Sequence, residues 1–408
     1  MLNGKKLYEF AELTLKIGVN LQKGQGVEIA CPVEKPEVAE AFTETAYKLG
    51  ASIVRIRWEN EKTDRLNFLY ADTAALTDIP AHVIESKNDL INRGFCYVAI
   101  AAENPTAFAD VPQEKLAAYS KARSNKLKKF SEQVMKNGIR WCVVSVPTAE
   151  WAKQVFAGEK NAEEKLSAAI EKTMRLDCQD PLSAWEKHIK RLDERAEFLN
   201  KNRFSYLHFK SKNGTDLRVG LADEHVWLSA KERAADGVCF VANMPTEEVF
   251  TAPHNKRIDG VVKSALPLSY NGKLINNFSL TFKKGKVVDY TAESGLDALK
   301  QIIETDKGTT SLGEVALIGK RSPIAESGVL FYNTLFDENA SCHIALGKAY
   351  PTTVKGGENL SKTQLKNMGV NDSVEHVDFM IGTPDLSVTG VKESGEQVTL
   401  FADGEWVI

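Results

Sequence analysis

Histidine and cysteine are scarce in this 408-residue chain, with seven and six respectively, and neither sign of charge dominates: 52 basic and 55 acidic side chains leave a net of −3. Each shortage excludes something. A balanced charge argues against a nucleic-acid partner, which calls for a basic excess or stripe. The lysine-rich run SKARSNKLKKF (120–130) reads as the wet face of a helix. No apolar run approaches the roughly 20 residues of a membrane-spanning helix. The start, MLNGKKLYEFAEL, lacks the long apolar core of a secretory signal. No cysteines form a CxxC pair, and three sit in apolar strand-like runs, IACPV, GFCYVAI and IRWCVVSV. They read as reduced core thiols, so a cytoplasmic protein without a membrane partner is expected. The glycine pair of KGQGVEI (23–29) precedes its strand, whereas a dinucleotide loop follows one. An HExxH zinc-protease helix is also absent.

What is present falls into two rhythms. The first half alternates helical and strand patterns. GVEIACPV, ASIVRIRWEN, FCYVAIAAE and IRWCVVSVP read as strands. Helices are expected at PEVAEAFTETAYKLG, around 64–93, over 112–136 and from Thr148. Such alternation predicts an α/β domain with a mostly parallel sheet and flanking helices. A charged helical stretch runs to about Asn202, and then the pattern changes. YLHFKSKNGTDLRVGL is a hairpin around Asn-Gly, and PLSYNGKLINNFSLTFKKGKVVDYTAE repeats the device with Asn-Gly and Lys-Gly-Lys turns. The expectation is an α/β domain over 1–200, then a β-rich, barrel-like α+β domain over 201–408.

Four segments of the second half concentrate chemistry: NMPTEEVFTAPH (243–254), LGEVALIG (312–319), LFDENASCHIALG (335–347) and HVDFMIG (376–382). In VEHVDFM (374–380), residues two apart share a strand face, so His376 and Asp378 project together. Glu314 is a carboxylate in an apolar strand, and His343 an imidazole in small, apolar company. Singly, each has an ordinary explanation, an edge position for Glu314 and core packing for His343. Together, several buried charges would each cost several kcal/mol, by order of magnitude, unless a cation drew them together. Carboxylates and imidazoles are ligands of zinc, cobalt and manganese. Glu338 and His343 are five apart, which suits a turn better than a flat strand. Cys342 and Glu247 would face away from their neighbours His343 and Glu248. Asp337 and Asp259 are candidate outer partners for the imidazoles, and His254 is a candidate for the channel wall or for packing.

These segments resemble the aminopeptidase T / aminopeptidase S family of bacterial metallo-aminopeptidases. NMPTEEVFTAPH, DGVVKSALPLSYNGKLINNF, GEVALI, SGVLFYNTLFDENASCHIALGKAYP and GVNDSVEHVDFMIG carry the likeness, in family order. The resemblance implies a cytoplasmic homodimeric exopeptidase that removes N-terminal residues from peptides with two divalent metal ions. By motif it assigns Glu248, Glu314, Glu338, His343, His376 and Asp378 to the metals, and Tyr350 of GKAYP to catalysis. Glu314 is also the candidate metal bridge and proton carrier. Two other readings remain at this point: a two-metal phosphoesterase, for which Lys320-Arg321 is the suggestive pair, and a peptide-binding protein with a structural metal.

Overall fold

The computed structural model describes residues 2–102, 104–270 and 273–408. The chain divides into two compact units, Met1–Glu186 with Lys231–Pro245, and Lys187–Ala230 with Thr246–Ile408. Residue 200 lies inside the helix Pro181–Asn202. The hairpin strands Lys231–Arg233 and Cys239–Val241 belong to the first unit.

In the first unit four strands pair in parallel, in the order Ile53–Glu59, Gly26–Pro32, Cys96–Ala101 and Trp141–Ser145. Helices connect them, as parallel pairing requires. Gly26–Pro32, an interior strand, is buried along its first six residues, which explains why GVEIACP does not alternate cleanly. Its one charge, Glu28, accepts a hydrogen bond from buried Lys87 at 2.9 Å. The helix Pro36–Lys48 begins on proline, whose missing N–H costs nothing in a first turn.

Two helical expectations are refined. The stretch 64–93 is three helices, Glu61–Tyr70, Thr73–Thr77 and Ala81–Asn92. Pro80 stands before the third and disfavours helical backbone at Ile79. The stretch 112–136 breaks at buried Leu127 into Gln113–Lys126 and Lys128–Met135. Neither piece buries a residue fully, as the lysine-rich run suggested.

The second unit is mostly antiparallel. An eight-stranded sheet runs Lys286–Thr291, Ser279–Lys283, Pro253–Lys263, Asp216–Leu221, Tyr206–Lys210, Ser387–Val391, Gln397–Ala402, Glu405–Trp406. The first predicted hairpin is present, with Lys210 opposite Asp216 and Gly214 at φ +105°. So is the Lys-Gly-Lys turn, where Lys284 and Gly285 both take positive φ and Lys283 pairs with Lys286. The Asn271-Gly272 turn lies outside the described residues, although its flanking strands Leu268–Tyr270 and Lys273–Ile275 pair as expected. A second sheet of four antiparallel strands, in the order His376–Met380, His343–Gly347, Leu312–Leu317, Val249–Thr251, carries the chemistry.

Candidate metal centre

Register decides which side chains meet. Glu314 pairs with Ala345 and Ala345 with Asp378. Phe250 pairs with Ala316, Ala316 with His343, and His343 with Met380. Directly opposed residues share a sheet face, as do residues two apart on one strand. Glu314, His343, His376 and Asp378 therefore project from one face, and Glu248 stands two residues before Phe250 on that same side. The strand Leu312–Leu317 is interior to the sheet and buried throughout, so Glu314 is not at an edge. A bulge between Leu312 and Glu314 re-aims the strand at Gly313. A Cβ at Gly313 would collide with the carbonyl of Lys348.

The resulting distances are short. Nε2 of His343 lies 3.2 Å from Glu248 Oε2, 3.5 Å from Glu314 Oε1 and 3.9 Å from Asp378 Oδ1. Nε2 of His376 lies 3.6 Å from Glu314 Oε2 and 3.3 Å from Asp378 Oδ1. Glu338 opens a 3-10 turn, Glu338–Ala340, and its carboxyl feels the charges of Asp378, Glu248 and Glu314. The Tyr350 ring packs edge-on against His376 with centroids 5.3 Å apart, and against Phe250 at 6.2 Å. All seven residues singled out in the sequence thus come together.

Two arrangements suit a cation. Both imidazoles place Nδ1 against a main-chain carbonyl, His376 on Lys348 at 2.6 Å and His343 on Ser341 at 3.4 Å. A carbonyl only accepts, so Nδ1–H donates and Nε2 is the ring nitrogen turned toward the carboxylates. Asp378 Oδ1 is buried and makes no well-formed hydrogen bond, although His376 Nε2 lies 3.3 Å away, an arrangement that a cation would satisfy. Two groups have ligand atoms within 4.8 Å of one another, Glu248–Glu314–His343 and Glu314–His376–Asp378, and Glu314 belongs to both. The residues present therefore fit divalent cations.

Electrostatics points the same way. Burial pushes the Glu314 carboxyl up, and Glu248 and Asp378 add to this against the pull of His343. Burial, then Asp378 and Glu248, drive Glu338 well above the carboxylate range. Burial opposes the charge on both imidazoles but loses. Hydrogen bonds to Glu248 and Glu314 drive His343 well above its ordinary value, and Asp378 and Glu314 push His376 up to about 10. Asp378 is held below its usual range because His376 outweighs its burial. Too many carboxylates share this face for all to ionise unaided, so the cluster takes up positive charge, as protons or as metal.

The surroundings correct two expectations. Asp337 accepts from the N–H groups of Phe331 and Asn333 at 2.8 and 2.9 Å, and Asp259 from that of Lys284 at 2.8 Å. The outer partners recorded for the two imidazoles are carbonyls instead. His254 accepts from the N–H of Lys256 at 3.1 Å, a local contact within the strand Pro253–Lys263. Glu247 does face away from Glu248, toward His188 at 3.6 Å. Lys320 and Arg321 are exposed, and the Lys320 ammonium sits 3.4 Å from the Pro384 carbonyl. One residue escaped the sequence reading. Asn339, fully buried, accepts the Glu247 N–H through Oδ1 at 2.8 Å and donates through Nδ2 to the Leu335 carbonyl at 3.1 Å. It ties the Glu248 segment to the Glu338 turn. Nothing in DENASCH distinguishes it from a surface asparagine.

Residues 3–406 match the family model described as "Thermophilic metalloprotease (M29)". The chain belongs to this family. This M29 metalloprotease is 40% identical to "Aminopeptidase 2" of Geobacillus stearothermophilus, covering 98% of each chain. It also resembles the solved structure "Wild-type AmpT from Thermus thermophilus", with a TM-score of 0.92 and 36% identity over 98% of this chain and 99% of that one. The expected family resemblance holds over the whole length. A 2,5-dihydroxypyridine dioxygenase from Pseudomonas putida KT2440, with TM-score 0.55 and 14% identity over 98% of this chain and 97% of that one, shares the fold alone.

Proposed function

We propose that this M29 metalloprotease is an aminopeptidase that holds two divalent ions, zinc, cobalt or manganese, on Glu248, Glu314, Glu338, His343, His376 and Asp378. The single observation that carries the reading is Glu314, the one carboxylate common to both three-residue ligand groups. A bound pair of dications would supply Lewis acidity and lower the pKa of a nucleophilic water. The chain's own groups do the rest. Glu314 takes a proton from the attacking water and returns it to the leaving amine. The Tyr350 ring packs edge-on against His376, and its hydroxyl donates to the developing oxyanion.

The proposal extends to the setting. The catalytic domain is the β-rich second one, with barrel-like curvature in its eight-stranded sheet. The protein works as a homodimer in the cytoplasm on peptides with a free N-terminus. Among the described residues no helix is long and apolar enough to cross a membrane.

One assay tests the activity. Aminoacyl anilides are offered with each metal, beside their N-acetylated forms and an aryl phosphate. Cleavage confined to free amines, and abolished by a chelator, is expected. Cleavage of the acetylated forms or the phosphate alone would overturn the reading, and metal binding without any turnover would favour a structural site.

A further inference from the structure

We propose that Asn371 is a positioning residue for the hydrolysis: it holds the Lys348 peptide, on which the orientation of His376 and the placing of Tyr350 depend. This rests on the aminopeptidase reading above. Asn371 is buried, and its side-chain amide donates through Nδ2 to two main-chain carbonyls, Gly347 at 2.5 Å and Gly308 at 2.9 Å. An amide NH2 carries two hydrogens, one for each carbonyl. The main-chain carbonyl of Asn371 accepts the Ala349 N–H at 3.0 Å. One residue thus grips the chain on either side of Lys348.

Three parts of the site meet at the Lys348 peptide. Its N–H donates to the Glu375 carbonyl at 2.7 Å, and its carbonyl accepts Nδ1–H of His376 at 2.6 Å. The same carbonyl lies against Gly313, the bulge residue before Glu314. Tyr350 follows two residues later, its ring edge-on to His376. Gly347 leaves its strand at φ +104°, and a Cβ there would strike the Glu375 carbonyl, so the turn toward Tyr350 is built at this glycine. A shift of the Lys348 carbonyl would therefore move the ring of one metal ligand and the Tyr350 hydroxyl together.

Asn371 is itself anchored. Asp306 accepts from Ser373 Oγ and from the Val374 N–H, each at 2.9 Å. The same carboxylate accepts the N–H groups of Gly308 and Thr309 at 2.7 and 2.9 Å. The loop 306–309 and the segment 371–375 form one knot, which the bond from Asn371 to the Gly308 carbonyl closes. Its bond to the Gly347 carbonyl carries that knot onto the end of the strand His343–Gly347. Outer hydrogen bonds of this kind orient metal ligands, and a displacement of about 1 Å can cost about a hundredfold in rate.

The test uses the full chain with Asn371→Asp, which keeps the shape but turns oxygen toward both carbonyls, and Asn371→Ala, which leaves room for water. Each is also combined with Tyr350→Phe, and all are assayed at alkaline pH, where the aspartate is ionised. With aminoacyl anilides, kcat should fall by about a hundredfold in N371D and by less in N371A, with KM little changed. In the Tyr350→Phe background N371D should cost about tenfold at most, since a hydroxyl already removed cannot be misplaced. Calorimetric titration with cobalt should show affinity lowered by about 10- to 100-fold, and the visible spectrum of the cobalt protein should change. In the metal-free protein the downfield Nδ1 proton of His376, identified by its loss in His376→Gln, should shift or exchange faster. Should N371D not fold, N371A carries the same measurements. Losses that simply multiply, or a His376 resonance and a cobalt affinity both as in wild type, would overturn the assignment, even where urea unfolding shows a less stable protein. A wild type inert toward every anilide would sink the aminopeptidase reading instead, and the cobalt titration and the His376 resonance would still decide Asn371.

Discussion

Glu314 turns one carboxylate oxygen to each imidazole of the cluster: Oε2 lies 3.6 Å from His376 Nε2, while Oε1 lies 3.5 Å from His343 Nε2. A group in that position can join two ions, carry a proton from the attacking water to the leaving amine, or do both. The Glu314→Gln variant separates these roles, since glutamine keeps the shape and loses the basicity. Activity should fall by at least about a hundredfold, the usual scale for a lost acid–base group. Metal content by elemental analysis then discriminates. Two ions retained means proton transfer; one ion lost means bridging. Near-normal turnover would remove Glu314 from the mechanism.

Tyr350→Phe preserves the ring contacts with Phe250 and His376 and removes only the hydroxyl. If that hydroxyl meets the oxyanion, kcat should drop about a hundred- to a thousandfold, as when one oxyanion donor is deleted elsewhere. KM should move little, because the interaction forms only in the transition state. A drop confined to kcat/KM through KM would assign Tyr350 to ground-state binding instead.

Asn339→Ala strands the Glu247 N–H, a buried donor with a 2.8 Å bond. Stability should fall by about 1–3 kcal/mol. Because Asn339 joins the Glu248 segment to the Glu338 turn, metal affinity should also fall, by about 10- to 100-fold, the usual scale for outer-shell changes. Chemical unfolding of the metal-free protein and calorimetric metal titration read the two effects separately. Lower stability with unaltered affinity would make Asn339 purely structural.

His225 supplies a pH prediction away from the metal face. Burial holds its imidazole down to about 4, against a weaker upward pull from the hydrogen bond to the Ala222 carbonyl, and Arg203 and Arg257 add to the lowering while Glu224 resists it. In the unfolded chain the group titrates near 6.5. Above that value both states are neutral and nothing changes. Between about 6.5 and 4 the unfolded state binds the proton first, so stability falls as pH falls through this window. The contribution is at most about 3 kcal/mol. His225→Gln should lose correspondingly less stability than wild type between pH 7 and pH 4.5 in urea unfolding. Identical losses would mean that His225 is not held neutral.

Local pattern carried much of the fold, for reasons of period. The Asn-Gly and Lys-Gly-Lys turns are legible because few residues accept positive φ. His376 and Asp378 share a face because strand side chains repeat every two residues, and that follows from the sequence wherever the strand sits. Interruptions were harder to read: Pro80 and Leu127 divide helical stretches that periodicity alone would join. The outer partners of the imidazoles were not legible either. Asp337 looks available in sequence, but its carboxylate is occupied by the N–H groups of Phe331 and Asn333.

By itself, then, the sequence determined element types, turn chemistry and the supply of carboxylates and imidazoles, since these depend on neighbours a few residues apart. Tertiary structure alone decided that Glu248, Glu314, His343 and Asp378 converge. Antiparallel register across four strands, with a bulge at Gly313, set that convergence, and a one-residue slip of any strand would have turned its ligands to the other face. The tie made by Asn339, the tautomers fixed by carbonyls and the return of residues 231–245 to the first unit likewise depend on contacts between distant segments, which local propensity does not encode.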